Sequence, residues 1–256
     1  MLFIKPAHNI WCFLGLAAIS VQGVAGNMGD IKLQKSFYQP LVTLTIGPDF
    51  VQKGRAQTIS LLPPFQNHYT FTKSSATVAD AGGFIGVERF FSDKFGAQLG
   101  VSGYIDSELS PSGHVWRFAS PEFDTLSYDY KVQHARVMAE GKFITSLDSH
   151  KSAHPYVSWG LGAAFNQAKN YQETLLIAGA VPMSPFVNHT QTSFAWSIGA
   201  GVDYALNPHI RLGAGYQFSD LGSVSLGRTY AAITEQTLSF PHLYANQLRF
   251  QLTYLV

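Results

Sequence analysis

Cysteine is almost missing from this chain of 256 residues. Cys12 is the only one, and it sits in an apolar segment near the N-terminus, so neither a disulfide framework nor a cysteine metal cluster can hold the rest together. Charge is scarce as well: 13% of residues are Asp, Glu, Lys or Arg, about half the roughly 25% of an ordinary soluble chain and too few to coat a globule. The 17 basic and 16 acidic residues nearly cancel, which leaves no basic surface for nucleic acid and no acidic tail. Beyond the N-terminal segment there is also no run of about 18 apolar residues, which excludes helical membrane spans.

Aromatics, at 14%, and glycine, at 23 residues, are plentiful, and much of the chain is patterned with period two. The last stretch shows this best. Leu248, Phe250, Leu252, Tyr254 and Val256 alternate with Gln247, Arg249, Gln251 and Thr253, so an extended strand would sort them into one apolar and one polar face. At the other end, Lys5 and His8 precede an apolar segment over Ile10–Val21, followed by Gly23, Ala25 and Gly26, the pattern of a secretory signal peptide. The expected organisation is a cleaved signal over 1–25, an N-terminal periplasmic segment over 26–38 and a single domain over 39–256. Cleavage removes Cys12 and Lys5 and leaves 16 basic against 16 acidic residues.

Eight alternating strands are expected. They run Gln39–Phe50, Asp80–Phe91, Phe95–Asp106, Tyr128–Ile144, a fifth through Val157, Trp159, Leu161 and Phe165, then Ser193–Tyr204, Ile210–Ser219 and Asn246–Val256. The fourth changes phase: Tyr128, Tyr130 and Val132 share one parity, whereas Ala135, Val137, Ala139 and Phe143 share the other. A bulge near Gln133 would exchange the faces in this way. Connections alternate between long (51–79, 107–127, 167–190, 221–242) and short (92–94, a turn through Asp148 and His150, and 207–209). An even strand number with this asymmetry predicts an all-β, eight-stranded antiparallel up-and-down transmembrane β-barrel with short periplasmic turns and long extracellular loops.

The apolar face is assigned to lipid because the opposite face, rich in Gly, Ser and Ala, is too small and uncharged to coat a soluble barrel. Phe95, Phe143, Trp159, Trp196, Tyr204 and Tyr254 are placed toward the periplasmic or middle levels, and Phe165 and Phe218 at the other rim, as girdles require. Glu88, Arg136, Glu140, Lys142, Asp203, Arg211 and Arg249 then fall on or near the lumen side. They are read as a network of paired charges filling a narrow interior, with a selectivity gate as the alternative.

Signal, strand pattern and loop asymmetry together resemble the small outer-membrane barrels grouped with opacity proteins and the transmembrane domain of outer membrane protein A. The resemblance implies a Gram-negative outer-membrane location among lipid and lipopolysaccharide. It also implies a C-terminal strand (Leu248, Phe250, Leu252, Tyr254, Val256) read by the barrel-assembly machinery. A non-enzymatic role in structure and surface display is expected, with long loops for adhesion or host and environment contact. A narrow porin-like channel is the first alternative, and a lipopolysaccharide-modifying enzyme the second.

No cofactor and no metal is expected. His150 and His154 flank a turn instead of sharing a helix face, and His150 near Ser152 lies on the periplasmic side, away from an outer-leaflet substrate. His68, His114, His189 and His242 sit by loops without an evident carboxylate partner. Exposed apolar residues in the loops (Leu61, Leu62, Phe65, Leu175, Leu176, Ile177 and Phe186) are candidates either for ligand contact or for packing against one another.

Overall fold

A computed structural model describes residues 38–52, 54–61, 64–72, 75–147, 152–182, 185–228, 234 and 236–256. The expected signal peptide and almost all of the 26–38 segment lie outside them, as does the turn through Asp148 and His150. Eight antiparallel strands form a closed ring: β1 (Gln39–Gln52), β2 (Ser75–Phe90), β3 (Phe95–Asp106), β4 (Asp124–Thr145), β5 (Ala153–Leu175), β6 (His189–Ala205), β7 (Ile210–Asp220) and β8 (Tyr244–Leu255). Each pairs with its neighbours in sequence, and β8 returns to β1 from Leu41↔Leu255 to Val51↔Ala245. No lipid-exposed edge remains in this ring, as a bilayer without water demands.

Period two assigns the faces. On β1, Thr43, Thr45 and Asp49 point inward while Val42, Leu44 and Ile46 point outward, and β8 repeats this with Gln247, Arg249, Gln251 and Thr253 inside. The outward face is apolar on every strand, with Phe95, Phe143, Tyr204 and Tyr254 toward the end bearing the short turns. Trp196 differs from its expected level: paired opposite Asp220, it stands with Phe218, 5.6 Å away, toward the end bearing the long connections. Trp159 lies across Gly141 on the outer wall, where a Cβ would come within 2.7 Å of the indole. The turn at 92–94 is fastened by Ser92 Oγ, which accepts from the amides of Lys94 and Phe95, and the one at 207–209 by Asn207 Oδ1, which accepts from His209 and Ile210.

Two expectations about the loop end are corrected. The stretches 107–127 and 167–190 are not simply loops. With 22 and 23 residues, β4 and β5 are about twice the 9–11 residues that cross a bilayer, and they stay paired out to Leu126↔Leu175. Ser112–Arg117 pairs with outer β4, Gln66–Tyr69 with Ser112–Arg117, and Gln57–Ser60 with Gln66–Tyr69, so the barrel wall continues as a sheet above the membrane.

Nor does β4 bulge near Gln133. Even-numbered residues face inward from Tyr128 to Ile144. What changes is the polarity of the interior: buried Val132 and exposed Val137 are both apolar because the first enters a protein core above the membrane and the second faces lipid. The irregularity in this pair of strands lies on β5, where Asn170 and Tyr171 oppose Tyr130 alone and Asn170 adopts a φ of 55°.

Because Leu44 is 61% exposed on the lipid face, Leu44→Arg is expected to lower barrel stability by about 2–4 kcal/mol. Phe65→Arg, beyond the membrane, should stay within about 0.5 kcal/mol. Urea titration of the protein refolded into lipid vesicles measures both.

Candidate functional site

An eight-stranded ring is narrow enough for side chains to fill it, and inward alternation delivers polar ones from every wall. All seven charges expected in the lumen are buried there. Toward the turn end, Arg211 on β7 donates from Nη2 to Glu88 Oε1 on β2 at 2.8 Å, and Gln98 Nε2 donates to Glu88 Oε2 at 2.8 Å. Lys142 Nζ lies 3.5 Å from Asp203 and donates to Gln251 Oε1 at 2.7 Å. The strands that carry Lys142 and Gln251, β4 and β8, are diametrically opposed in the ring. That contact therefore crosses the whole lumen.

The middle is organised around Tyr104. The guanidinium groups of Arg136 and Arg249 each lie 4.5 Å from its ring centroid, its hydroxyl donates to Glu140 at 3.1 Å, and Arg249 donates to the same hydroxyl. Arg249 also donates to Gln217 and lies 4.0 Å from Glu140. Nearer the loop end Arg136, 1% exposed, contacts Asp80 at 3.0 and 3.1 Å and Asp106 at 3.2 Å. His134 meets Asp106, and Asp49 accepts from Gln247 at 2.9 Å.

Above this polar lumen the interior turns apolar. Val51, Val78, Leu109, Val132, Leu221 and Leu243 belong to one core with an aromatic group on the loop side. In that group Tyr171 meets Phe186 at 5.0 Å, Tyr69 meets Phe186 at 5.8 Å and Tyr128 meets Tyr171 at 6.0 Å. Burial pushes the phenols of Tyr69, Tyr128, Tyr130 and Tyr171 up, so they remain neutral donors. Tyr128, for instance, donates to the Thr70 carbonyl at 2.7 Å. Phe186, expected among the exposed loop residues, is thus part of this core, whereas Phe65, Leu175, Leu176 and Ile177 are exposed and Leu62 lies outside the described residues.

At the tip of the sheet a different arrangement appears. Phe118 and Ala119 both adopt left-handed backbone conformations, with φ of 55° and 53°. The turn they make sets Phe118 against Phe65 at 5.7 Å and Phe123 at 5.3 Å, and all three rings remain exposed. Two histidines expected to lack a carboxylate have one: His114 lies 2.8 Å from Asp124 and His242 2.9 Å from Asp220. His68 packs on Trp116 and contacts Thr58 at 2.9 Å, His189 lies 3.3 Å from the Ser225 carbonyl, and buried His154 contacts Ser146 at 3.2 Å. His150 is outside the described residues.

Four buried lumen residues are not among the expected charges: Asp49, Asp80, Asp106 and His134. Parity was the available signal. Asp49 is in phase with Thr43 and Thr45, and His134 with Arg136, Glu140 and Lys142, but the supposed bulge at Gln133 broke that phase where His134 stands.

Breaking a buried pair by removing one partner costs about 3–5 kcal/mol, so Arg136→Met should lose that much in urea unfolding. Arg89→Met, at the exposed contact with Tyr38, should lose under about 1 kcal/mol. Outside the membrane, hydrogen bonds from Lys169 and Lys131 pull the Glu108 carboxyl down to about 2. A lowered folded-state value means the contribution is fully present above the unfolded value of about 4.3 and is lost as pH falls through about 2. NMR titration should place Glu108 there, and Lys131→Met with Lys169→Met should return it toward 4.3.

Residues 58–254 match the family described as outer membrane protein beta-barrel domain. Over 96 residues the chain is 30% identical to outer membrane protein PagN of Salmonella typhimurium, a match covering 35% of this chain and 37% of that relative. The chain thus spans little more than a third of that protein's length. Among solved structures, OprG of Pseudomonas aeruginosa is 16% identical with a TM-score of 0.49, covering 85% of this chain and 97% of that one. Neisserial surface protein A is 13% identical with a TM-score of 0.41, covering 84% and 96%. The chain belongs to the outer-membrane protein β-barrel family, and its place is the outer membrane of a Gram-negative cell.

Proposed function

We propose that this protein is a non-enzymatic barrel that displays an extracellular sheet for contact with host or environmental surfaces and conducts no solutes. The observation that carries this reading is the closed interior: Lys142 to Gln251 and Arg249 to Tyr104 bridge the lumen, and the apolar core caps it. A channel needs a continuous wet path, and side-chain contacts that span the lumen beneath an apolar cap offer none. Glu88, Arg136, Glu140, Lys142, Asp203, Arg211 and Arg249 act as a structural plug in this proposal. Export under a signal over 1–25, recognition of the β8 alternation by the barrel-assembly machinery and residence among lipopolysaccharide complete it.

Contact is assigned to the tip, where Phe65, Phe118 and Phe123 expose aromatic surface. Consecutive left-handed non-glycine residues cost roughly 1–3 kcal/mol each and persist only where the surroundings impose them, often at functional sites. A sheet that continues the barrel wall presents those rings with little to order on binding.

Two measurements test the proposal. Refolded protein in planar bilayers should give no reproducible conductance steps, and steps would make it a channel. Cells bearing the protein should adhere to epithelial or matrix-coated surfaces, with adherence falling about tenfold or more in the triple variant Phe65→Ser, Phe118→Ser, Phe123→Ser if hot-spot losses of over about 2 kcal/mol apply. Unchanged adherence of a correctly folded triple variant would remove the tip from the proposal.

A further inference from the structure

The lumen holds more negative charge than its own cations balance. Among the described residues six buried carboxylates face it (Asp49, Asp80, Glu88, Asp106, Glu140 and Asp203), against four cations (Arg136, Lys142, Arg211 and Arg249). Glu88 is matched by Arg211, Asp203 by Lys142 and Glu140 by Arg249. Arg136 is then the only Arg or Lys left for Asp80, Asp106 and Asp49, so with His134, which stands against Asp106, as the neutral imidazole that binds metal, an excess of two negative charges is concentrated toward the loop end. An isolated buried charge is costly unless it is paired or coordinates a metal.

We propose that Asp49, Asp106 and His134 bind one divalent first-row transition-metal ion. Each offers one ligand atom, and these atoms lie within 4.8 Å of one another. Donors bound to one ion at about 2.1 Å stand at most about 4.2 Å apart, so closing on the ion asks for side-chain shifts of under about 1 Å.

The hydrogen bonding leaves the donors available. Asp49, 0% exposed, accepts from Gln247 at Oδ2 and has no partner for Oδ1; Asp106 accepts from Arg136 at Oδ2 and has none for Oδ1. His134 is 1% exposed; its Nε2 stands against Asp106 Oδ2, and neither ring nitrogen makes a hydrogen bond. Unsatisfied buried polar atoms are rare in native proteins, and Asp49, Asp106 and His134 each carry at least one. Gln247 and Arg136 supply the outer contacts that orient ligating carboxylates. Two carboxylates with one imidazole suit zinc or manganese better than calcium, which takes oxygen alone. An ion of charge two cancels the excess and ties β1, β3 and β4 together at the boundary between the polar lumen and the apolar cap.

The test is to unfold the full chain in urea with chelator, refold it into detergent micelles with Zn²⁺ or Mn²⁺, dialyse, and measure retained metal by mass spectrometry and thermal stability by band shift. One ion per chain is expected, with a higher thermal midpoint than in the chelator-refolded sample. Asp49→Asn and His134→Gln should abolish retention, Gln247→Ala should weaken affinity about 10- to 100-fold, and Glu108→Gln should leave it unchanged. Wild-type protein that folds, retains neither metal and melts at the same temperature with or without chelator overturns the proposal and leaves protons to balance the charge. So does retention that survives both ligand substitutions. Should either variant fail to fold, the wild-type stoichiometry alone decides.

Discussion

Everything in this molecule depends on the pairing of β8 with β1. In a bilayer the backbone has no water to turn to, each unsatisfied amide or carbonyl costs several kcal/mol, and a sheet survives there only when it has no edge. Closing eight strands on themselves satisfies the backbone and at the same time fixes the width of the interior. That width lets Lys142 on β4 touch Gln251 on β8. Polar side chains that inward alternation drives into the ring therefore find one another across it, and the contacts that span the lumen follow from strand number together with parity.

Closure also explains why the lumen charges come in pairs from distant strands. An ion pair buried in low dielectric is seldom a net gain over well-packed apolar residues, whereas half of one is a heavy loss. Apolar residues on both faces, however, would remove the alternation that tells each strand which side is lipid, and a slip of one residue would exchange the faces. The polar parity holds register, and the cross-lumen contacts of Arg211 with Glu88 and of Arg249 with Tyr104 hold opposite walls at fixed spacing.

The fold was legible because lipid imposes a strict period on the strands that cross it. β3 was read with its observed bounds, and β8 to within two residues, since in both every second residue meets hydrocarbon. Legibility stopped at the membrane surface. Above it β4 buries apolar residues inward instead of outward, so its hydrophobic phase reverses while its geometry does not. Sequence alone registers the reversal at Gln133 but cannot tell an extra residue from a change of surroundings. The candidate site was legible in part for a related reason. Individual charges on the polar parity could be listed from the pattern, but which of them meet depends on shear and on distances across the ring, quantities that no single strand contains. Asp49, Asp106 and His134 lie on three strands whose order, but not whose depth, is written in the chain.

The reversal of phase is also what makes the extracellular part a sheet instead of a set of free loops. Once β4 turns its apolar side inward above the lipid, Tyr128, Tyr130 and Val132 need cover, and 57–60, 66–69 and 112–117 supply it by adding strands to the exposed edge of β4. Two adverse conformations at Phe118 and Ala119 can then be sustained because the ladder holds both arms of the turn between them. A flexible loop would relax that strain and fold its aromatic rings away. The same constraint that closes the barrel therefore acts at the outermost tip, where it keeps apolar rings in the position water least favours.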